Sequence, residues 1–413
     1  MPDTTHDLAG ARAKFEQIKT DLGANFVERD RLIPVLMALV LGKMNALLMG
    51  PPGTAKSALV NAVCHSMGNG SVFSYLLTRY TTPDEIFGPL SISGLKNDRY
   101  ARVTKGFMPE ASVAFLDEIW KANSSILNSL LTILNERKFF NDGKWIGIPL
   151  RATIGASNEL PEGPELEALY DRFIARFWIK NLTSKDSRLK VMNGQANAQP
   201  SQVVLSPDEI DLLSAAASAL PFDPGIDDKM IEIEDRLQEK GIVIGDRRRR
   251  AIWRVLPYVA FAFNHDAVND DTIIDIVPDL AWRTPDQRTT IYKVCSEVAN
   301  PLGAKAQEIL DAAFETVANA TKARNDAKNG VAGARKSDAL SQINGARMQM
   351  EDMIKKMLDL DKTKTNGRVK CALAELDKNY RSVMGMVMEQ ANLKSFGGND
   401  MTESIAKYLG AKQ

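Results

Sequence analysis

The sequence predicts an α/β fold built on a phosphate-binding loop and continued by helical segments. Three observations carry this. The apolar run Ala46-Leu47-Leu48-Met49 breaks into Gly50-Pro51-Pro52-Gly53-Thr54-Ala55-Lys56-Ser57 and leaves as Ala58-Leu59-Val60, which reads as strand, glycine-bearing loop and helix. About sixty residues on, the apolar run 112–116 delivers Asp117-Glu118 at the carboxyl end of a strand, where open α/β sheets bind ligands. Beyond Pro301 there is no further proline or tryptophan, and apolar residues fall at helical spacing.

The loop defines the chemistry. Successive backbone N–H groups of such a loop point at phosphate oxygens, and the positive end of the following helix holds negative charge. Lys56 would reach the β- and γ-phosphates, and Ser57 would ligate Mg2+. Ala55 stands where the strict pattern has Gly. A methyl is tolerable there if φ stays negative and Cβ points away from the phosphates, because Gly is obligatory only at positive φ or the closest contact. Asp117 would hold Mg2+ through water, and Glu118 would polarise the attacking water.

At 413 residues the chain suits about two or three domains with a full α/β core. Lys+Arg and Asp+Glu each number 52, so the neutral total offers no general electrostatic case for nucleic acid or an anionic membrane. Cys64, Cys295 and Cys371 lie too far apart for a CxxC metal site, suit a reducing compartment and read as buried small hydrophobes. His6, His65 and His265 show no ligand spacing, so no structural metal is expected. The apolar stretch 32–49 is interrupted by Pro34, Gly42, Lys43 and Asn45 and reads as a helix followed by a strand, not a membrane span. No basic and then apolar leader opens the chain, so a cytoplasmic location is expected.

In chain order, Leu8, Phe15, Ile18 and Leu22 mark an amphipathic helix. A second strand covers 71–78. Thr82-Pro83-Asp84-Glu85, Ser206-Pro207-Asp208-Glu209 and Thr284-Pro285-Asp286-Gln287 each combine a capping residue with proline at the first helical position, so they read as helix starts. The polar centre Lys96-Asn97-Asp98 predicts a β-hairpin over 90–110. Ile126, Leu130 and Leu134 form a helical core stripe, and Asn141-Asp142-Gly143 turns a hairpin between Phe139-Phe140 and Trp145-Ile146. The strand 150–157 ends at Asn158, whose amide could bond a γ-phosphate and orient water.

Gly163-Pro164 opens a helix carrying Leu166, Leu169 and Phe173 inward, which leaves Arg172 and Arg176 four apart on another face. A fifth strand spans 177–182, and 183–205 reads as a polar linker. The stretch 206–300 is helical, and Gly245-Asp246-Arg247-Arg248-Arg249-Arg250 opens an amphipathic helix with one arginine facing a nucleotide on the adjacent core. Val369, Leu373, Leu376, Tyr380, Val383 and Val387 form a 4-3-4-3-4 seam. Leu340, Ile343, Met350, Ile354 and Met357 form a matching one with Arg347 in one slot, and 361–367 turns the chain, giving an antiparallel helical hairpin. The expected division is an α/β nucleotide-binding core at 1–190, a helical lid at 200–300 and an interaction arm at 301–413.

Together these motifs resemble the MoxR family of AAA+ ATPases, and within it the RavA-like branch. The likeness covers about 25–300 through Phe-Val-Glu-Arg-Asp, the loop, Thr-Pro-Asp-Glu-Ile-Phe-Gly-Pro-Leu, Phe-Leu-Asp-Glu-Ile-Trp-Lys-Ala, Ala-Ser-Asn-Glu-Leu-Pro and Glu-Ala-Leu-Tyr-Asp-Arg. It implies a five-stranded parallel sheet of order 5-1-4-3-2, a hairpin insert at 90–110 and an all-helical lid. It also implies a ring, usually a hexamer, that uses ATP and Mg2+ in chaperone-like remodelling of other proteins. By resemblance, Val27 packs on the adenine, Asn158 matches sensor 1, Arg172 the arginine finger, and Arg247 the sensor 2 arginine, with Arg248 the alternative. Family members frequently work with a von Willebrand factor type A protein. Two rival functions stand beside this one. A machine acting on nucleic acid is disfavoured by the neutral charge, and a nucleotide-gated scaffold by intact Lys56, Asp117, Glu118 and Arg172.

Overall fold

The amphipathic start of the chain forms α1 (Thr4–Asn25), which buries Phe15, Ile18 and Leu22. Because α2 (Leu32–Leu41) is apolar on every side, it is buried throughout, and it leads into β1 (Ala46–Met49). The core continues through α3 (Lys56–Met67), β2 (Val72–Leu76), α4 (Pro83–Phe87), α5 (Ile92–Leu95), β3 (Val113–Asp117), α6 (Ser124–Glu136), β4 (Lys138–Asn141), β5 (Lys144–Gly147), β6 (Ala152–Ser157), α7 (Pro164–Tyr170) and β7 (Ala175–Trp178). The structure is a computed structural model that describes residues 4–68, 71–329, 336–391 and 400–410. It divides into two compact units, Met1–Tyr292 and Lys293–Gln413.

Five strands pair in the order β2-β3-β6-β1-β7, all parallel. With the hairpin strands β4 and β5 left out of the count this is 2-3-4-1-5, the expected order read from the other edge. β1 and β6 are buried at every position, the pattern of strands covered on both faces. Parallel pairing puts the carboxyl ends of β1, β3 and β6 on one edge, and Met49 stands in register with Ser157. The loop after β1, the acids after β3 and Asn158 after β6 therefore meet. At the other end, Asn45 ties three elements together. Its carbonyl oxygen accepts from Thr153 N (3.1 Å) and the Arg137 guanidinium (2.9 Å), and its amide faces the Leu134 and Arg172 carbonyls at 3.4 Å.

Several expectations need correction. Residues 90–110 do not form a β-hairpin: only Leu90 and Arg102 bridge, and between them Ser91 caps the single turn of α5 by accepting from Gly94 N. A serine that can bond the backbone three residues on favours that turn over an extended arm. The hairpin proper is β4–β5, where Asp142 (φ 53°) and Gly143 (φ 74°) supply the left-handed pair that a two-residue turn requires. The expected linker at 183–205 contains α8 (Lys185–Met192), which buries no residue. At the third predicted helix start, the backbone N–H groups of Arg283 and Thr284 turn to the Gln287 side chain, and the helix begins only at Gln287.

The helices α9 (Pro207–Ser218), α10 (Ile226–Glu239), α11 (Asp246–Ala262), α12 (Asp270–Ala281) and α13 (Gln287–Ala299) follow. α9 begins with the predicted capping box of Ser206 and Glu209. α11 packs on α2 and α9 on α1, so these helices share the core of the first unit.

In the second unit, α14 (Pro301–Lys328), α15 (Lys336–Leu360) and α16 (Gly367–Ala391) all pack on one another, and α17 (Asp400–Leu409) packs on α16. The predicted hairpin is thus part of a three-helix bundle. Both seams are buried as expected except Leu340, which is only partly covered. The third partner was hidden because the buried face of α14 is mostly alanine: Ala306, Leu310, Ala313 and Ala320 keep the 4-3 spacing with little hydrophobic signal. Arg347, in its seam slot, donates to Glu351 (2.5 Å), which also accepts from the Tyr380 hydroxyl (2.9 Å). Cys371 lies exposed on α16, not buried.

Asp361, at the turn between α15 and α16, is buried and accepts from Thr363 Oγ1 (2.6 Å), Asn366 N (2.7 Å) and the Tyr408 hydroxyl of α17 (3.2 Å). The Thr363 hydroxyl bond, foremost, lowers its pKa, while burial and then Asp361 push Tyr408 up to about 12.

Two predictions follow from this packing. Asn45→Ala strands the Thr153 N–H and part of the Arg137 guanidinium, so denaturant unfolding should show a loss of about 1–3 kcal/mol for each group left unpaired. Asp361 has a folded pKa below its unfolded one, so its contribution is present above the ordinary carboxylate pKa and fades as pH falls through the folded value. Hydrogen exchange of α17 should accelerate over that acid window, and Asp361→Asn should make it fast at neutral pH.

Candidate phosphate-binding site

The loop after β1 is held by close backbone contact. Gly50 has φ 144°, and a Cβ there would stand 2.2 Å from the Ile179 carbonyl oxygen, so no side chain fits. Gly53 (φ 79°) provides the second left-handed position. Ala55 was expected at negative φ and is found at φ 59°, ψ 26°. This left-handed alanine costs about 1–2 kcal/mol and leads directly into α3. Thr54 closes the turn by donating to the Pro51 carbonyl (3.0 Å).

The Lys56 ammonium is buried against three oxygens: Gly50 O (2.8 Å), Pro51 O (2.9 Å) and Asn158 Oδ1 (2.8 Å). Burial lowers its pKa, opposed by the nearby charges of Asp117 and Glu118. The other end of the Asn158 amide donates to Glu118 Oε1 (2.6 Å), and Lys121 pairs with Glu118 Oε2 (3.3 Å). Ser57 Oγ donates to Asp117 Oδ2 (2.6 Å), and Asp117 Oδ1 accepts from Glu118 N (2.9 Å). Glu118 itself has φ 53°, so the chain reverses directly after the strand and turns its carboxylate toward Asn158.

Lys56, Ser57, Asp117, Glu118 and Asn158 are thereby joined in one set. Lys121 was missed; its signal was its place three residues after Glu118 in a tight turn. A cleft of about 340 Å³ opens beside Glu118 and is lined also by Arg79, Asn123 and Glu159. The adjacent hydroxyl and carboxylate oxygens of Ser57 and Asp117 suit a hard cation such as Mg2+, which keeps waters and shares phosphate oxygens. Among the described residues, no cluster of three or more His, Cys, Asp or Glu side chains could hold a metal alone.

The arginines separate into two kinds. Arg172 and Arg176 do not share a helix face, because α7 ends at Tyr170 and β7 begins at Ala175. Arg176 is 1% exposed and donates to the carbonyls of Phe173 (3.2 Å), Tyr170 (3.0 Å) and Trp282 (2.6 Å), its guanidinium 3.6 Å above the Tyr170 ring. Burial lowers its pKa to about 9, which leaves it charged at neutral pH. Arg248 is likewise buried, donating to the Ile174 and Leu280 carbonyls and to Asp171. Both bind β7 and the turn before it to the C-terminal end of α12, Arg176 through the Trp282 carbonyl and Arg248 through that of Leu280. Arg172, by contrast, is half-buried, donates one bond to Ala168 O (2.8 Å) and leaves Nε without a partner. Burial and then the nearby charge of Arg247 lower its pKa. Arg247 is largely exposed and lies 3.6 Å from Asp171.

Val27 is half-buried in the bend after α1. A cavity of about 620 Å³ lies next to it, lined by Glu28, Arg29, Leu32, Ile179, Asp286 and Thr289 among others, with Val27 outside the lining. Arg29 donates to the Lys180 carbonyl (2.9 Å), and Glu28 accepts from the backbone of Thr183 (3.0 Å) and Ser184 (2.8 Å). Ile179 forms a wall of this cavity and also closes over Gly50, so cavity and loop are neighbours.

The chain matches, over residues 13–215, the family described as the MoxR domain in the MoxR-vWA-beta-propeller ternary systems. An uncharacterised protein of Methanocaldococcus jannaschii is 34% identical over 353 residues, 84% of this chain and 93% of the relative. A second uncharacterised protein of that organism is 35% identical over 302 residues, 73% of this chain and 77% of the relative. A crystal structure from Cytophaga hutchinsonii, provisionally assigned as an ATPase, superposes with a TM-score of 0.58 at 18% identity, over 72% of this chain and 97% of its own, which speaks to the fold. With the parallel sheet, the loop and these relatives together, the chain belongs to the MoxR family of AAA+ ATPases.

Proposed function

We propose that this protein is an ATP-hydrolysing ring motor, a hexamer of the RavA-like kind, that remodels partner proteins in a chaperone-like way. The observation that supports the hydrolysis is the connected set of Lys56, Asn158 and Glu118 beside Ser57 and Asp117, at the carboxyl edge of the sheet. Gly50, Pro51, Pro52, Gly53, Thr54 and Ala55 present backbone to the phosphates. Lys56 exchanges its loop carbonyls for β- and γ-phosphate oxygens. Ser57, and Asp117 through water, would hold Mg2+, which would supply neutralising charge to those oxygens. Asn158 orients the attacking water, and Glu118 polarises it.

The cavity beside Ile179 takes the base, and Val27, outside its lining, precedes the lining residue Glu28. Arg247 is the better sensor 2 candidate, because the Arg248 guanidinium is spent on backbone carbonyls. Arg172 serves a neighbouring subunit as the arginine finger, whereas Arg176 is fully engaged within its own chain.

We read 1–190 as the core, 200–300 as the lid and 301–413 as an interaction arm. The family's ternary systems support a von Willebrand factor type A protein as partner. Among the described residues no helix is long and apolar enough to cross a membrane. The dispersed free cysteines favour the reducing cytoplasm.

Lys56→Ala should abolish nucleotide binding, whereas Glu118→Gln should keep it and lose about 10²–10⁴ in turnover, since the acid acts on the water. Equilibrium binding of a fluorescent ATP analogue beside phosphate release separates the two, and an equal loss of affinity would refute this division. Arg172→Ala should cost hydrolysis on the order of 10³–10⁵ with affinity nearly kept. Mixing Arg172→Ala with Lys56→Ala subunits should restore part of the activity, because one interface then joins an intact loop to an intact finger. Mixed rings that stay inactive would remove the finger assignment.

A further inference from the structure

Glu118 is held at both of its carboxylate oxygens, and the two holders depend on different things. Asn158 Nδ2 donates to Oε1 (2.6 Å), while the Lys121 ammonium pairs with Oε2 (3.3 Å). The Asn158 amide is shared, because its oxygen serves Lys56 (2.8 Å), and Lys56 is the group that phosphate oxygens would draw away. Lys121 is tied instead to the acid's own turn. Residues Ile119–Lys121 form one turn of 3-10 helix, with Lys121 N donating to Glu118 O (2.9 Å), and side chains three apart in such a turn lie over one another. The direction of that turn is fixed from below. Ile119 is fully buried, and Trp120 packs edge-on against Tyr170 and Phe173, with ring centres 6.0 and 6.4 Å apart, while its indole N–H donates to Glu159 O (2.9 Å). Just beyond, Asn123 donates to Thr81 O (2.7 Å) and accepts from Ile126 N (3.1 Å), which seats the start of α6. Glu118 and Lys121 are thus the charged pair that an anchored turn presents to the cleft of about 340 Å³.

We propose that Lys121 is a positioning residue for hydrolysis: it keeps the Glu118 carboxylate in its place beside Asn158 once phosphate has taken Lys56 from that amide, a role that rests on the reading of Glu118 given above. The lysine touches no reacting atom. It engages Oε2 alone, and an ionised carboxylate has acceptor sites to spare for a water on either oxygen. An ion pair whose lysine side chain is 47% exposed contributes little to fold stability, so substituting Lys121 should leave the protein folded.

The test pairs steady-state ATP hydrolysis by the full chain with a measurement that needs no turnover. Lys121→Met should lower kcat about tenfold with KM kept, and Lys121→Arg, whose guanidinium can reach the same oxygen, should restore kcat to within about threefold of the wild type. Carbodiimide, which joins a carboxylate to an amine held against it, should link Glu118 to Lys121 in the wild type, read by mass spectrometry as loss of water from the peptide that holds both. The link should form without nucleotide and persist with Mg2+ and a non-hydrolysable ATP analogue. Lys121→Arg and Glu118→Gln, which lack the amine and the carboxylate, should not form it. An unchanged kcat in Lys121→Met, beside a wild type that hydrolyses ATP, would overturn the positioning role alone, and so would a cross-link lost on loading. A faster Lys121→Met would overturn it as well, since the lysine would then restrain the acid. A wild type without turnover would remove the motor reading and this role with it, whatever the cross-link shows.

Discussion

Parallel pairing of β1 between β6 and β7 is the constraint on which the site depends. It joins Lys56 to Asn158, 102 positions apart in the chain, at 2.8 Å, and it packs Gly50 against the Ile179 carbonyl. A slip of one residue along β6 would turn each side chain to the opposite face, so the register is protected by the burial of every residue in both strands. The loop conformation is in turn strained at Ala55, and the strain is carried by a sheet that leaves the loop ends no other path.

Within the site, electrostatics follow from that placement. A buried ammonium needs partners, and Lys56 finds two loop carbonyls and one amide oxygen. The Asn158 amide faces a cation with its oxygen and an anion with its nitrogen. It therefore couples Lys56 to Glu118 without carrying charge itself. Any phosphate that draws Lys56 away also frees one end of that amide, which links loop occupancy to the orientation of the acid.

Arginine shows how tertiary context divides one residue type into different roles. Arg176 and Arg248 turn planar donor sets onto carbonyls at a buried junction, where a guanidinium tolerates burial because its donors are satisfied. Arg172 and Arg247 lie within electrostatic reach of each other, and burial falls mainly on the first. At the 90–103 segment, Arg99 and Arg102 are instead engaged by Asp142 and Asp84.

The sequence by itself determined the features that depend on local chemistry. The glycine loop after an apolar run, the capping boxes at Thr82 and Ser206, the Asp142-Gly143 turn and the 4-3 seam of α16 are each specified by neighbouring residues. Local pattern did not show α14 as the third member of the bundle, because alanine contributes to a seam only when partner helices come close enough to cover it. It also could not separate Arg172 from Arg176, or Arg247 from Arg248. Each pair has like propensities, and only the end of α7, the start of β7 and the Leu280 and Trp282 carbonyls at the C-terminal end of α12 decide which guanidinium is buried. Tertiary structure likewise decided that Ala55 is left-handed and that Lys121 reaches Glu118, because positive φ and ion-pair distance are set by where the ends of β1, β3 and β6 converge.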